Sequence, residues 1–161
     1  MKFGRSIKIF LSDGSPSGLR HLEIANWSGQ ALACPRSRLS DLKNWDEAKR
    51  PGVYFLFEKH STDDKNTVYI GESENVYNRI CTHDKNKDFW NEVIIFTSKD
   101  VNLTKSHVKY LESRLTFITK DADRYNLENA NTPTQSSLPR ADVAAMEEYI
   151  ENCRLLLGTL G

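Results

Sequence analysis

Four side chains between residues 54 and 83 combine proton carriers with a fixed positive charge. Tyr54 closes the run Gly52-Val53-Tyr54, and Tyr69 opens the run Tyr69-Ile70-Gly71. Arg79 and His83 follow, four residues apart. Phenols and an imidazole can give or take a proton, and a guanidinium can hold an anion. The elements that must gather them can be read nearby. PGVYFLFEK and TVYIG are rich in β-branched and aromatic residues, and HSTDDKN between them is turn chemistry. A β-hairpin with a longer loop is expected. Gly71 is expected to end the second strand and turn the backbone sharply. Ser73 is the expected N-cap of the next helix, with Glu74 favourable in its first turn. In a helix over 74–83, Val76 and Ile80 face the core, while Asn75, Arg79 and His83 form a neighbouring row. The two tyrosines, the arginine and the histidine then converge on one cleft.

The stretch resembles the GIY-YIG nucleases. GVY and YIG stand for the two signatures, with an arginine eight residues after Gly71 and a histidine four later. Glu112, in KYLESRL, completes the usual set. The resemblance covers roughly residues 50–130 as a nuclease core. Beyond it, the chain resembles a bacterial-type branch with an N-terminal extension, ending in a PRSRL-like stretch, and a C-terminal helix. Fourteen residues, 55 to 68, separate the two tyrosines, more than in the usual hairpin.

The resemblance implies a divalent-metal-dependent endonuclease that hydrolyses DNA phosphodiester bonds, with Mg²⁺ or Mn²⁺ as cofactor. That chemistry needs a metal ion, an activated water and positive charge around the phosphate. Glu112 is the expected metal ligand, since one carboxylate holds Mg²⁺ when waters and substrate phosphate fill the other positions. Arg79 is expected to contact the scissile phosphate, with Gly71 against the nucleic acid. Tyr54 is the favoured base and Tyr69 its hydrogen-bonding partner. A free phenol has a pKa near 10, so nearby positive charge must help it. His83 shares the proton transfer or binds phosphate. An asparagine completes the site, with Asn129 in LENANTP favoured over Asn126 in RYN.

Each of these residues has a plainer reading. Glu112 could be a helix glutamate paired with Lys105, Lys109 or Lys120. Arg79 could be an exposed helix arginine, and the tyrosines ordinary strand aromatics. His107 has no matching role and is expected to be structural. Two functions of other classes also fit: a nucleic-acid-binding module that does not cut, and a protein-interaction domain. The intact set of five side chains speaks against a pure binder, which needs no metal ligand.

Composition describes an ordinary soluble chain, 39% hydrophobic and 27% charged. No apolar run approaches the roughly 20 residues that span a bilayer, and the apolar part of the N-terminus is too short for a signal peptide. A cytoplasmic location without membrane contact is expected; the oligomeric state is left open. Cys34, Cys81 and Cys153 lack metal-site spacing and read as buried free thiols. Net charge is zero, but residues 1–50 hold nine Lys/Arg against five Asp/Glu. The cluster Arg36, Arg38, Lys43, Lys49 and Arg50 is either a solvated helix surface or a platform for the DNA backbone, with Arg36, Arg38 and Lys43 as its contacts.

The expected fold is α+β. A small antiparallel sheet of hairpin 53–57/67–70 and strand 93–97 packs against helices 74–83, 104–120 and 140–157. Residues 1–50 form a β-rich extension: a hairpin around SDGSPSG, a short strand at 31–34 and a helix carrying Leu39, Leu42, Trp45 and Ala48. Residues 51–130 form the core, and 131–161 a loop and a C-terminal helix. Asn102 or Thr104 should cap the long helix, and Gly158 should end the last one.

Overall fold

The computed structural model describes residues 3–59, 62, 64–129 and 137–161. The fold is α+β, as expected, built on one seven-stranded sheet. The strands are β1 (Ile7–Leu11), β2 (Arg20–Ile24), β3 (Gly29–Pro35), β4 (Gly52–Phe57), β5 (Thr67–Ser73), β6 (Glu92–Ser98) and β7 (Asn126–Leu127). Their order across the sheet is β1-β2-β3-β6-β4-β5-β7, antiparallel except for β5 and β7. The helices are α1 (Val76–Asn86), α2 (Lys105–Ala122) and α3 (Arg140–Leu160).

The sheet runs without a break from the N-terminal strands into the hairpin. β3 pairs with β6 over seven residues, from Gly29 opposite Ser98 to Pro35 opposite Glu92. The short strand expected at 31–34 is therefore a full partner of the central strand. β4 reads GVYFLF and is buried throughout; VIIF of β6 is buried likewise. Such unbroken apolar runs belong to strands covered on both faces, and this sheet is covered twice. Val53, Phe55, Ile70 and Phe96 face α2 and α3 through Val108, Leu111 and Ile150. Tyr54, Leu56, Val93 and Ile95 face the other way, against Val76 and Ile80 of α1 and against Leu39 and Leu42. Each such aliphatic side chain contributes about 1.5–3 kcal/mol by leaving water.

Four local expectations are corrected. Residues 36–49 form two 3-10 segments, Arg36–Asn44 and Asp46–Lys49, and not one α-helix. Leu39, Leu42, Trp45 and Ala48 recur at a strict spacing of three, the 3-10 period, with side chains eclipsed every turn. β5 does not end at Gly71 but runs to Ser73, and α1 starts at Val76. Its N-cap is Asn75, whose side chain accepts from the Asn78 amide, while Ser73 Oγ bonds the backbone of Asn75 instead. α3 continues through Gly158 to Leu160, packing Leu156 more deeply than Leu157. The cap of α2 is Thr104, which forms a capping box with His107. His107 thus has the structural place expected of it. Cys34 and Cys153 are buried free thiols, and Cys81 is half-buried. Parts of the expected loops, residues 60, 61, 63 and 130–136, lie outside the described residues.

Candidate active site

The hairpin pairing brings the two signatures together. Tyr54 lies opposite Gly71, and Leu56 opposite Tyr69. Paired residues point to the same face, so both tyrosines emerge on the α1 side, as diagonal neighbours. Their ring centroids are 6.3 Å apart. Gly71 is needed for space: a Cβ there would meet the Tyr54 hydroxyl at 2.3 Å. The ring of Tyr54 lies across the place where any other side chain would begin.

α1 delivers His83 and Arg79 to the same place. The Tyr54 hydroxyl meets His83 Nε2 at 2.7 Å. The rings of Tyr69 and His83 meet edge to face, with centroids 5.0 Å apart. His83 is only 4% exposed. Burial, aided by the charges of Arg79 and Lys87, lowers its pKa to about 4, so the imidazole is neutral near pH 7. Tyr69 was the expected hydrogen-bond partner of Tyr54 and does hydrogen-bond it; His83 is a second partner of the same hydroxyl. Burial and the neighbouring Tyr69 raise the Tyr54 phenol well above its ordinary range, against the pull of Arg79. Tyr69 is raised too, by burial and then by Glu112. Without a bound cation, Arg79 alone does not make either tyrosine a phenolate.

Glu112 approaches from the other face of the sheet, on α2. It stands next to Leu111 of the buried stripe, and its carboxylate acts on both tyrosines around the end of β5. Burial, with the charge of Glu72 beside it, raises Glu112 to about 7. The Glu72 backbone amide, Lys105 and Arg79 pull the other way. Lys105, named as a plain partner for Glu112, instead grips Glu72, 2.7 Å from Oε2. A half-buried carboxylate with a second negative charge beside it suits a hard divalent cation. Among the described residues, no group of three or more His, Cys, Asp or Glu side chains could hold a metal.

Asn129 clasps the edge of β5. Its Oδ1 accepts from the Ile70 amide at 3.0 Å, and its Nδ2 donates to the Ile70 carbonyl at 2.7 Å. It stands between Tyr69 and Gly71 as one more rung of the sheet, holding the second signature straight. Asn126 lies further along, in β7, with its Nδ2 3.4 Å from the Lys65 carbonyl.

The N-terminal basic residues are placed differently. Arg36 donates to Asp84 Oδ1 and to the carbonyls of Asp84, Asp88 and Trp90, and lies over the Trp90 ring. Arg38 is paired with Asp13 and Asp41. Lys43 is exposed.

Two residues of this region, Lys87 and Glu72, escaped the sequence reading. Lys87 lies with Nζ 4.5 Å from the centroid of the Tyr69 ring. It is four residues beyond His83, so the row through Arg79 and His83 could have been extended to it. Glu72 carried no signal, because its pairing with Lys105 spans β5 and α2.

Residues 50–118 match the family model of the GIY-YIG catalytic domain. Glu112 falls inside the match and Asn129 beyond it. No curated protein and no solved structure matches the chain. The tyrosine pair, the α1 arginine and the α2 glutamate all stand within that match, which supports membership of the GIY-YIG nuclease superfamily.

Proposed function

We propose that the protein is a divalent-metal-dependent endonuclease that hydrolyses DNA phosphodiester bonds in the cytoplasm. The observation that carries this reading is the electrostatic contact between Glu112 and the Tyr54/Tyr69 pair around one strand end, with Arg79 acting on all three. A pure binder has no use for a carboxylate raised by burial and by a second negative charge beside it.

Glu112 would hold the cation, whose chemistry is to polarise the phosphate and supply charge against the developing oxyanions. Arg79, exposed and hydrogen-bonded to the phenols of Tyr54 and Tyr69, would take the scissile phosphate. Tyr54 passes a proton from the attacking water to the neutral Nε2 of His83, 2.7 Å away. Tyr69 packs His83 in place, and Lys87 adds positive charge on the phosphate side. Asn129 acts through Ile70 as a positioning residue. Lys43 is the N-terminal residue best placed to reach the DNA backbone; Arg36 and Arg38 contribute mainly by holding their segment in shape.

The test is incubation with supercoiled, linear, single-stranded and branched DNA in Mg²⁺, in Mn²⁺ and in EDTA. Cutting should need the divalent ion and vanish in Glu112→Gln. Equal cutting in EDTA would remove the metal from this reading, and no cutting of any substrate would leave binding alone.

A further inference from the structure

Lys105 and Glu112 are seven residues apart on α2, about two turns, so both look onto the same strip of the sheet. That strip is the end of β5. Glu72 pairs with Val53 and therefore leaves the sheet on the α2 side, between the two. Its carboxylate is only 13% exposed. Nζ of Lys105 donates to both of its oxygens, at 2.8 Å to Oε1 and 2.7 Å to Oε2. Glu72 and Glu112 are close enough to oppose each other's charge. The end of β5 under α2 thus carries two carboxylates, one of them held by an ammonium group.

We infer that Lys105 is a specificity-determining residue that withholds Glu72 from the cation at Glu112. The inference rests on the metal-dependent reading above. With Glu72 gripped at both oxygens, Glu112 offers the cation a single carboxylate and leaves the other positions to water and phosphate. Mg²⁺ keeps its waters and tolerates such a site, whereas Ca²⁺ and Mn²⁺ gain more from an added carboxylate. Releasing Glu72 would build a two-carboxylate site that holds these ions tightly. Lys105 is 44% exposed in the first turn of its helix, so its replacement leaves the core untouched.

The experiment is calorimetric titration of the full chain with Mn²⁺, Ca²⁺ and Mg²⁺ separately, without DNA, with melting curves run beside it. Lys105→Met should tighten Mn²⁺ and Ca²⁺ binding at least tenfold and Mg²⁺ much less. Adding Glu72→Gln should abolish that gain, although it restores the net charge of the wild type at the same time. Therefore the preference for Ca²⁺ over Mg²⁺ decides the matter: a charge effect alone tightens all three ions alike. An equal gain for the three ions, no gain in Lys105→Met, or a gain that survives Glu72→Gln overturns the inference. The underlying reading fails separately, when Glu112→Gln binds Mn²⁺ as well as wild type does.

Discussion

Arg36 reaches α1 and Arg79 stands on it, and the two are used in opposite ways. The guanidinium of Arg36 makes four hydrogen bonds, three of them to carbonyls, and stacks on Trp90. It ties the first 3-10 segment to the end of α1 and the start of β6. Arg79 is exposed, with no ion pair among the described residues, and its charge falls on Tyr54, Tyr69, Glu112 and His83. Guanidinium groups already saturated by internal acceptors gain little from a phosphate. One whose partners are phenols, with no paired carboxylate, still gains from an anion. The same contrast separates Glu147, paired with Arg114 and lowered by that hydrogen bond, from Glu112, which burial and Glu72 raise to about 7.

The largest effect should come from Glu112→Gln, with cleavage lost to the detection limit while DNA binding in EDTA survives. A stability signature should accompany it. The folded pKa of Glu112 lies above its unfolded value, so its contribution is favourable below about 4.5 and is lost as pH rises through about 7. In EDTA, Glu112→Gln should therefore melt a few degrees above wild type at pH 8, and the gain should shrink at pH 5. A gain that is the same at both pH values would contradict the buried-charge account.

Next comes Arg79→Ala. Losing one preorganised positive donor costs roughly 10²–10³ in rate. Single-turnover cleavage should fall by that much with no change in melting temperature. A lower melting point with intact cleavage would place Arg79 with Arg36 among the structural cations.

Tyr54→Phe should cost less, about 10²-fold, the low end of what a proton-transfer group supplies. The double mutant Tyr54→Phe/Arg79→Ala should be little worse than Arg79→Ala, because groups acting on one phosphate lose activity as a unit. His83 adds a pH test. Its folded pKa of about 4 lies below the unfolded value, so its contribution is full above about 6.5 and is lost as pH falls toward 4. Relative to His83→Gln, wild type should lose melting temperature across that window. A constant difference from pH 7 to pH 4 would show that His83 titrates normally.

Arg36→Ala should act on stability, by about 2 kcal/mol for its lost hydrogen bonds and ring contact. That is a melting point lower by several degrees, with the salt slope of DNA binding unchanged. Lys43→Ala gives the smallest effect: stability constant, and a log–log salt slope shallower by about 0.9 on duplex DNA. If instead Arg36→Ala flattens the slope and Lys43→Ala does not, the paired and free cations have been assigned the wrong way round.

Much of this could be read from the chain before any coordinates. Runs such as GVYFLF and EVIIFTS are local patterns, and burial on a sheet is the only way to satisfy them. The placing of Tyr54 and Tyr69 on adjacent strands follows from their two apolar runs, and the row of Arg79 and His83 from a four-residue helical spacing. Where α1 begins was less legible, because Ser73 and Asn75 are both good caps. The β5 ladder continuing past Gly71 gave the helix to Asn75. The 3-10 segments were signalled by a spacing of three, which also fits one side of an α-helix.

What only tertiary structure decided is which charges meet. Sequence named Arg36, Arg38 and Lys43 alike as basic residues of one segment. Folding gave Arg36 four acceptors, and Arg38 two carboxylates, and left Lys43 exposed. It likewise brought His83 to the Tyr54 hydroxyl, and set Lys105 on Glu72, 33 residues away in the chain. Periodicity records what each residue does to its own strand or helix. An ion pair across two elements depends on how they pack, and burial then sets the strength of each charge through the loss of water around it.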